Sequence, residues 1–116
     1  MILDAGDKVL IVHRRLFEQD RIRLFIGNVQ AYDNGIVKVS GHTWMEDFKT
    51  QKCFEKEGLR TKIFSISSGT LIVYQIPEEV HLPQLAFEKD TDGKLWLTDG
   101  LRFKIDLTER EQPRYA

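Results

Sequence analysis

The sequence predicts an all-β fold, a small barrel of about eight short, strongly bent antiparallel strands that ends in a β-meander. Three observations lead to this prediction. Short segments rich in β-branched and aromatic residues recur along the chain and alternate with glycine-containing turns. The pairs Asn34-Gly35, Asp92-Gly93 and Asp99-Gly100 are signals for two-residue hairpin turns, which need positive φ at their central positions. The alternation of strands with helices that builds a parallel sheet is absent from the chain.

The predicted strands follow one another closely. They span residues 8–17, 22–32, 36–46, 60–66, 70–76, 80–88, 94–98 and 101–107. Gly69 is placed to supply the left-handed position of a hairpin turn after residues 60–66. Residues 48–58 lack a helical stripe of apolar side chains, which favours a charged loop or an irregular hairpin. We expect one domain over residues 1–107 and a polar, frayed tail over residues 108–116.

A two-residue turn at Asn34-Gly35 determines which residues face one another across the long hairpin. It places Phe25 opposite Trp44, and Gly27 opposite His42. The face that carries these residues holds an aromatic pair, yet part of it would be exposed in a single closed sheet. Phe25 and Trp44 therefore need an explanation that goes beyond the hairpin itself.

Two explanations for Trp44 remain open. A bulge at Gly41 would shift the side-chain alternation by one residue and turn Trp44 inward beside Val37 and Val39. Alternatively, the face that carries both Phe25 and Trp44 meets a second layer of the protein or another subunit. Glycines inside strands often mark such bends in small barrels, so we favour the bulge.

The C-terminal meander, predicted over residues 84–107, has its own register. A two-residue turn at Asp99-Gly100 places Trp96 opposite Phe103, and we expect this face to be core. Leu95 and Leu97 then lie on the opposite face.

The residues that catalysis or metal binding needs are scattered. His13, His42 and His81 are isolated in sequence, and no pair of closely spaced cysteines or histidines is present. The serines of residues 65–69 lack the strand–turn–helix context of a nucleophile. No glycine-rich phosphate loop occurs. We therefore expect no catalytic residue, no metal, no cofactor and no enzymatic activity.

Charge and hydropathy narrow the possible partners. The chain has 17 basic and 18 acidic residues and a net charge of −1, unlike a dedicated nucleic-acid binder. Its apolar runs are too short to cross a membrane, and we expect no membrane partner. A single cysteine and an acidic N-terminus favour the cytoplasm.

Residues 24–47, LFIGNVQAYDNGIVKVSGHTWMED, resemble the first motif of Sm-like proteins, which are small SH3-like barrels. Gly27 stands where that motif has a glycine in a bent strand. Tyr32 and Asp33 stand before the turn, and residues 36–39 alternate as its third strand does. The resemblance implies a strongly bent small barrel. The asparagine that contacts RNA in that family is displaced here, and the second motif of the family lacks its Arg-Gly pair.

Two functions from different classes follow. The preferred function is a non-enzymatic interaction module that binds itself, as a homodimer or higher oligomer, or another protein. Its candidate contact residues are Phe25, His42 and Trp44. The alternative is binding of single-stranded nucleic acid, with Phe25 and Trp44 as stacking platforms. The candidate phosphate contacts of this alternative are Arg14, Arg15, Arg21 and Arg23.

Overall fold

The computed structural model describes residues 2–14, 22–47, 49–50 and 52–108, and over these ranges the protein is built of two antiparallel sheets. The all-β prediction is confirmed. The strands are β1 (Lys8–His13), β2 (Arg23–Asp33), β3 (Ile36–Glu46), β4 (Cys53–Glu55), β5 (Arg60–Ser65), β6 (Leu71–Ile76), β7 (Ala86–Lys89), β8 (Leu95–Thr98) and β9 (Lys104–Asp106). A single 3₁₀ turn, Leu82–Gln84, precedes β7. No helix in the described ranges is long and apolar enough to cross a membrane.

The larger sheet has the order β4–β3–β2–β1–β6, and β5 also pairs with β3. β4 and β5 pair with different parts of the same edge of β3. β5 pairs with residues 36–41 and β4 pairs with residues 44–46, so β3 changes partner just beyond Gly41. The second sheet is the meander β7–β8–β9. Within the described residues no ladder joins β5 to β6, and the larger sheet is not a closed barrel.

The larger sheet buries both of its faces, which explains why β1 reads as an almost continuous apolar run. One face packs against the meander. Its buried residues, the meander core, are Leu10, Leu24, Ile26, Trp44, Ile76, Val80, Leu85, Leu97 and Leu107. The other face curves around a second cluster. The buried residues of this inner core are Leu3, Val9, Ile11, Phe25, Val29, Val37, Val39 and Phe64.

The long hairpin has the predicted turn but not the predicted register. Asn34 and Gly35 have φ of 47° and 78°, as a type I′ turn requires. A bulge at Gln30 then shifts the ladder between Val29 and Ala31. No glycine or proline marks this position, so the sequence did not reveal it.

The shift corrects every pair predicted beyond the bulge. Phe25 lies opposite Thr43 rather than Trp44, and Gly27 lies opposite Gly41 rather than His42. A one-residue slip exchanges the faces of a strand, so Phe25 and Trp44 belong to different cores.

The second explanation holds for Trp44, whose face meets a second layer, but not for Phe25, which lies on the other face of the sheet. The predicted bulge at Gly41 is wrong, and Trp44 lies on the face opposite to that of Val37 and Val39. The meander is the layer that covers it. The Trp44 and Phe87 rings meet edge to face, with centroids 5.0 Å apart.

The meander forms where it was predicted, but both of its loops are longer than two residues. The Asp90 carboxylate accepts hydrogen bonds from the backbone amides of Asp92 and Lys94. The Asp99 carboxylate accepts them from the amides of Leu101 and Phe103. These side-chain bonds to the backbone stabilise wider loops in which each glycine keeps its positive φ.

The wider loops change the register of the meander. Trp96 lies opposite Asp106, and Leu97 opposite Ile105. The prediction that Trp96 and Phe103 face each other in the core is therefore wrong. Leu97 is the fully buried residue, whereas Trp96 is half-buried and its Nε1 donates to Asp90 at 3.0 Å.

Two connecting segments had specific predictions. The segment 48–58, expected as a charged loop or irregular hairpin, contains the short strand β4, which pairs back onto β3 as an irregular hairpin would. The turn at Gly69 has the expected left-handed glycine, with φ of 78°. However, β5 and β6 on either side of it do not form the predicted hairpin ladder within the described residues.

Gly27→Ala should strongly destabilise the fold. A Cβ atom at Gly27 would overlap the carbonyl oxygen of Ser40, and the same holds for Gly41 against the carbonyl of Ile26. Relief requires backbone movement, so we expect a loss of about 1–3 kcal/mol or more in the free energy of unfolding, measured by urea denaturation. Ser40→Ala in the same hairpin is the control and should stay within about 0.5 kcal/mol of the wild type. Equal stability of all three proteins would contradict the close approach of β2 and β3.

Trp44 should be shielded within a single chain. In a Trp96→Phe background, Trp44 fluorescence should resist acrylamide quenching at every protein concentration, because Phe87 and the meander cover its ring. Quenching that increases on dilution would show instead that a second copy covers Trp44. Circular dichroism of the Trp96→Phe protein controls for the fold.

Candidate functional site: a basic rim beside the inner core

The inner face of β3 changes character along its length. Its first half contributes Val37 and Val39 to the inner core. Beyond Gly41, the same face carries Thr43 and Met45, which are only half-buried. The second half of β3 therefore lines a part of the curved sheet that the apolar core does not fill.

Neighbouring strands bring positive side chains to this face. On β5, Arg60 and Lys62 pair with the inner-facing positions of β3. On β2, Arg23 lies opposite Met45, and on β1, His13 lies opposite Arg23. Residues that oppose each other in an antiparallel ladder share a face, so the four side chains project from the inner face. Arg23 and Arg60 both lie close enough to Lys62 to lower its pKa.

Lys56 joins this group just after β4. Its backbone amide donates to the carbonyl oxygen of Thr43 at 2.8 Å, which continues the β3–β4 ladder by one step. We call the resulting cluster the basic rim, and its members are His13, Arg23, Lys56, Arg60 and Lys62.

The charges of the basic rim repel one another. Burial lowers the pKa of Lys62, and Arg60, Lys56 and Arg23 lower it further. Burial also lowers the pKa of His13, with Lys62 and Arg23 adding to the effect. A neighbouring cation disfavours the protonated form of each group, as these directions show.

Carboxylates do not offset this repulsion in the described part of the chain. The ion pairs there join Lys89 to Glu46 at 2.6 Å, and His42 to Glu55 at 3.9 Å. Neither pair includes a residue of the basic rim. The cluster is therefore a local excess of positive charge on a protein whose net charge is −1.

Aromatic rings of the inner core support the rim from below. The Lys62 ammonium lies 5.1 Å from the centroid of the Phe25 ring, a cation–π contact. The His13 ring lies against Phe64 with centroids 6.0 Å apart, and Phe25 and Phe64 contact each other at 5.5 Å. These contacts limit the freedom of Lys62 and His13 and hold their polar ends at the edge of the core.

Polar and apolar groups complete the surroundings. The Thr43 hydroxyl is buried and has no hydrogen-bond partner among the described residues. Met45 is half-buried beside Arg23, and Phe54, opposite Met45 on β4, is 45% exposed. The rim thus combines cations with an accessible aromatic ring.

The predicted contact residues do not form one surface. Phe25 is 1% exposed in the inner core and Trp44 is 9% exposed in the meander core, on the opposite face of the sheet. Their burial removes both the expected interaction patch and the expected pair of stacking platforms. His42 is half-exposed, and its Nε2 approaches the Glu55 carboxylate.

The predicted basic residues are only partly brought together. Arg23 belongs to the basic rim. Arg14 is exposed, and its guanidinium lies 3.5 Å from the carbonyl oxygen of Gly69. Arg15 and Arg21 lie outside the described residues.

The sequence-based reasoning missed Lys56, Arg60 and Lys62. The signal for two of them was present, because Arg60 and Lys62 alternate with Thr61 and share a strand face with the apolar Phe64. Their closeness to Arg23 depends on the way β2, β3 and β5 pair, which the sequence does not display.

Groups suited to catalysis or metal binding are few in the described ranges. Burial and the nearby Glu46 raise the pKa of Cys53 to about 11, so its thiol is protonated at neutral pH. No group of three or more His, Cys, Asp or Glu side chains there is arranged to hold a metal ion. A cavity of about 290 Å³ lies beside Lys8, whose ammonium already donates to the carbonyl oxygens of Glu78 and Val80.

No protein-family model matches this chain, and no curated protein and no solved structure matches it. The geometry and charge of the basic rim are therefore the observations that bear on function.

Protonation of His13 should destabilise the fold. The unfolded chain binds this proton with a pKa of about 6.5, and the folded chain binds it only at lower pH. The contribution of the neutral ring is therefore complete above about pH 6.5 and is lost as the pH falls below that value. The urea concentration at the midpoint of unfolding should therefore decrease as the pH is lowered from about 7.5 to about 5.5.

His13→Phe is the matched variant, because it keeps a ring against Phe64 but does not titrate. Its unfolding midpoint should depend less on pH over the same interval. An identical pH dependence in both proteins would show that His13 is not the group responsible.

Proposed function

We propose that this protein is a non-enzymatic interaction module, built as a small, incompletely closed barrel, that binds a polyanionic partner on its basic rim. One observation carries the proposal: Arg23, Lys56, Arg60 and Lys62 converge on one face with no ion pair among the described residues. A cluster of this kind is unfavourable in the free protein, and an anionic ligand removes the repulsion.

The chemistry of the rim suits binding rather than turnover. Arginine and lysine side chains present hydrogen-bond donors and positive charge to phosphate or carboxylate oxygens. Lys62 is held over the Phe25 ring, so part of the entropy of ordering it is lost before the ligand arrives. A chain of anions fits the rim better than a single ion, because the four cations are spread over three strands of the sheet: β2, the end of β4, and β5.

Self-association is a second candidate, favoured by a different surface. Ile36 and Ile63 are 50% and 70% exposed, and they lie near each other on the outer face of β3 and β5. β5 pairs with β3 alone among the described strands, and an unpaired strand edge is a common site for pairing with another chain. Sedimentation of the wild type and of Ile63→Lys separates the cases, since only a dimer through this surface would dissociate in the variant.

Charge removal at the rim should weaken polyanion binding. We expect Arg23→Gln combined with Lys62→Gln to lower the affinity for inorganic polyphosphate at low salt by about tenfold or more, measured by isothermal titration calorimetry. The matched control is Lys94→Gln combined with Arg102→Gln, which removes the same charge from exposed positions in the meander loops. Affinity of the wild type should fall as salt rises.

Two results would contradict the proposal. One is an absence of polyphosphate binding by the wild type at low salt. The other is an equal loss of affinity in the two double variants, which would mean that total charge rather than the rim controls binding.

A further inference from the structure

We infer that the polyanion is single-stranded nucleic acid, and that Phe54 stacks on one of its bases while the basic rim holds the phosphates. This inference rests on the proposed function of the rim and adds the chemical class of the ligand. It depends on a row of three side chains that runs across the inner face of the sheet.

The row consists of Arg23, Met45 and Phe54. Arg23 on β2 lies opposite Met45 on β3, and Met45 lies opposite Phe54 on β4. All three side chains therefore project from one face. Adjacent strands are about 4.8 Å apart, which places the backbone of Phe54 roughly 10 Å from that of Arg23. This separation leaves room for a base of the nucleic acid to lie over Phe54 while the sugar-phosphate backbone of the same nucleic-acid chain passes Arg23.

Phe54 differs from the other exposed apolar residues in the described part of the chain. The remaining large hydrophobic residues with high exposure are aliphatic, namely Ile2, Ile36, Leu59, Ile63 and Leu101. Phe54 is aromatic, 45% exposed, and next to Glu55 and Lys56 rather than in an apolar patch. A ring left accessible beside uncompensated cations is the arrangement by which proteins bind unpaired bases.

A second cation lies beside the row. Lys56 follows Phe54 by two residues and projects from the same face of the sheet. It therefore brings a positive charge along β4 from the ring, while Arg23 lies across the sheet from it.

A duplex or an acidic peptide fits the row less well. The bases of a duplex are stacked on each other and do not offer a face to Phe54, whereas single strands do. Glutamate and aspartate side chains would satisfy the cations but leave Phe54 without a flat partner. The row therefore favours unpaired nucleotides over both.

Fluorescence anisotropy with fluorescein-labelled oligo-dT and oligo-U at low salt tests the inference. Phe54→Leu keeps an apolar side chain but removes the ring, and we expect it to weaken oligonucleotide binding by about fivefold or more. Phe54→Tyr keeps the ring and should restore the affinity. Leu101→Ala, at an exposed position in the meander, is the control and should bind as the wild type does. Binding of inorganic polyphosphate should be the same in the wild type and Phe54→Leu.

The possible failures are distinguishable. If Phe54→Leu binds oligonucleotides as the wild type does, while Arg23→Gln with Lys62→Gln abolishes polyphosphate binding, the stacking inference is overturned and the proposed function stands. Tighter binding of poly-glutamate or of duplex DNA than of single strands overturns the inference in the same way. Absence of binding to every polyanion overturns the proposed function itself.

Discussion

The close approach of β2 and β3 at Gly27 and Gly41 is the constraint on which the larger sheet depends. The two glycines oppose each other on the inner face, and a Cβ atom on either would overlap the backbone of the other strand. Because neither has a side chain, the two backbones approach closely at this point. β3 then leaves β5 and continues with β4 just beyond Gly41. The inner face therefore has a filled half and an open half. The rim spans the boundary between them, with Lys62 opposite Val39 on the filled side and Arg23 opposite Met45 on the open side.

The larger sheet has apolar side chains on each face, so both faces must be shielded from water. The meander shields one face, through the edge-to-face contact of Phe87 with Trp44 and the Lys89–Glu46 ion pair. On the inner side, the sheet covers its own core by curving, and the ends of Lys62 and His13 close the remaining gap over Phe25 and Phe64. The long stem of a lysine is apolar, so it shields a ring while its charge stays near water. The core is thus closed by groups that also create the positive potential of the rim.

The sequence predicted elements better than it predicted pairings. Local signals located most of the strands and the type I′ turn, since Asn34 and Gly35 need no tertiary context to favour positive φ. They did not place β4 as a strand, and they predicted a strand over residues 80–88 where the structure has a 3₁₀ turn at Leu82–Gln84 before β7. The predicted registers were wrong at two places where the sequence does not show the local backbone geometry. The bulge at Gln30 has no marker residue. Asp99-Gly100 predicts a two-residue turn, whereas the Asp99 carboxylate caps a longer loop.

The basic rim could not be predicted because the predicted register of β2 and β3 was wrong. Once Phe25 is placed opposite Trp44, the inner and outer faces of β2 are combined into one surface, and Arg60 and Lys62 have no reason to lie near Arg23. The sequence does contain these charges, but the distances that make them a cluster are set by strands far apart in the chain. A one-residue bulge therefore prevented prediction of the rim from the sequence, although it did not prevent prediction of the fold class.

A net charge of −1 does not argue against a basic rim, because charge acts locally in salt solution. Screening limits the interaction of exposed charges to about 10 Å at ~0.1 M salt. Acidic groups such as Asp90 and Asp99 lie in the loops of the second sheet, where their carboxylates are already bonded to backbone amides. They lower the net charge without neutralising the rim. The same locality has a thermodynamic consequence. Burial, and after it the neighbouring cations, lower the pKa values of His13 and Lys62. The repulsion part of this effect destabilises the free protein, and an anion that relieves it stabilises the fold by linkage. Ligand binding and fold stability are therefore coupled at the rim. The cations that most favour an anionic ligand are those whose mutual repulsion most destabilises the free protein.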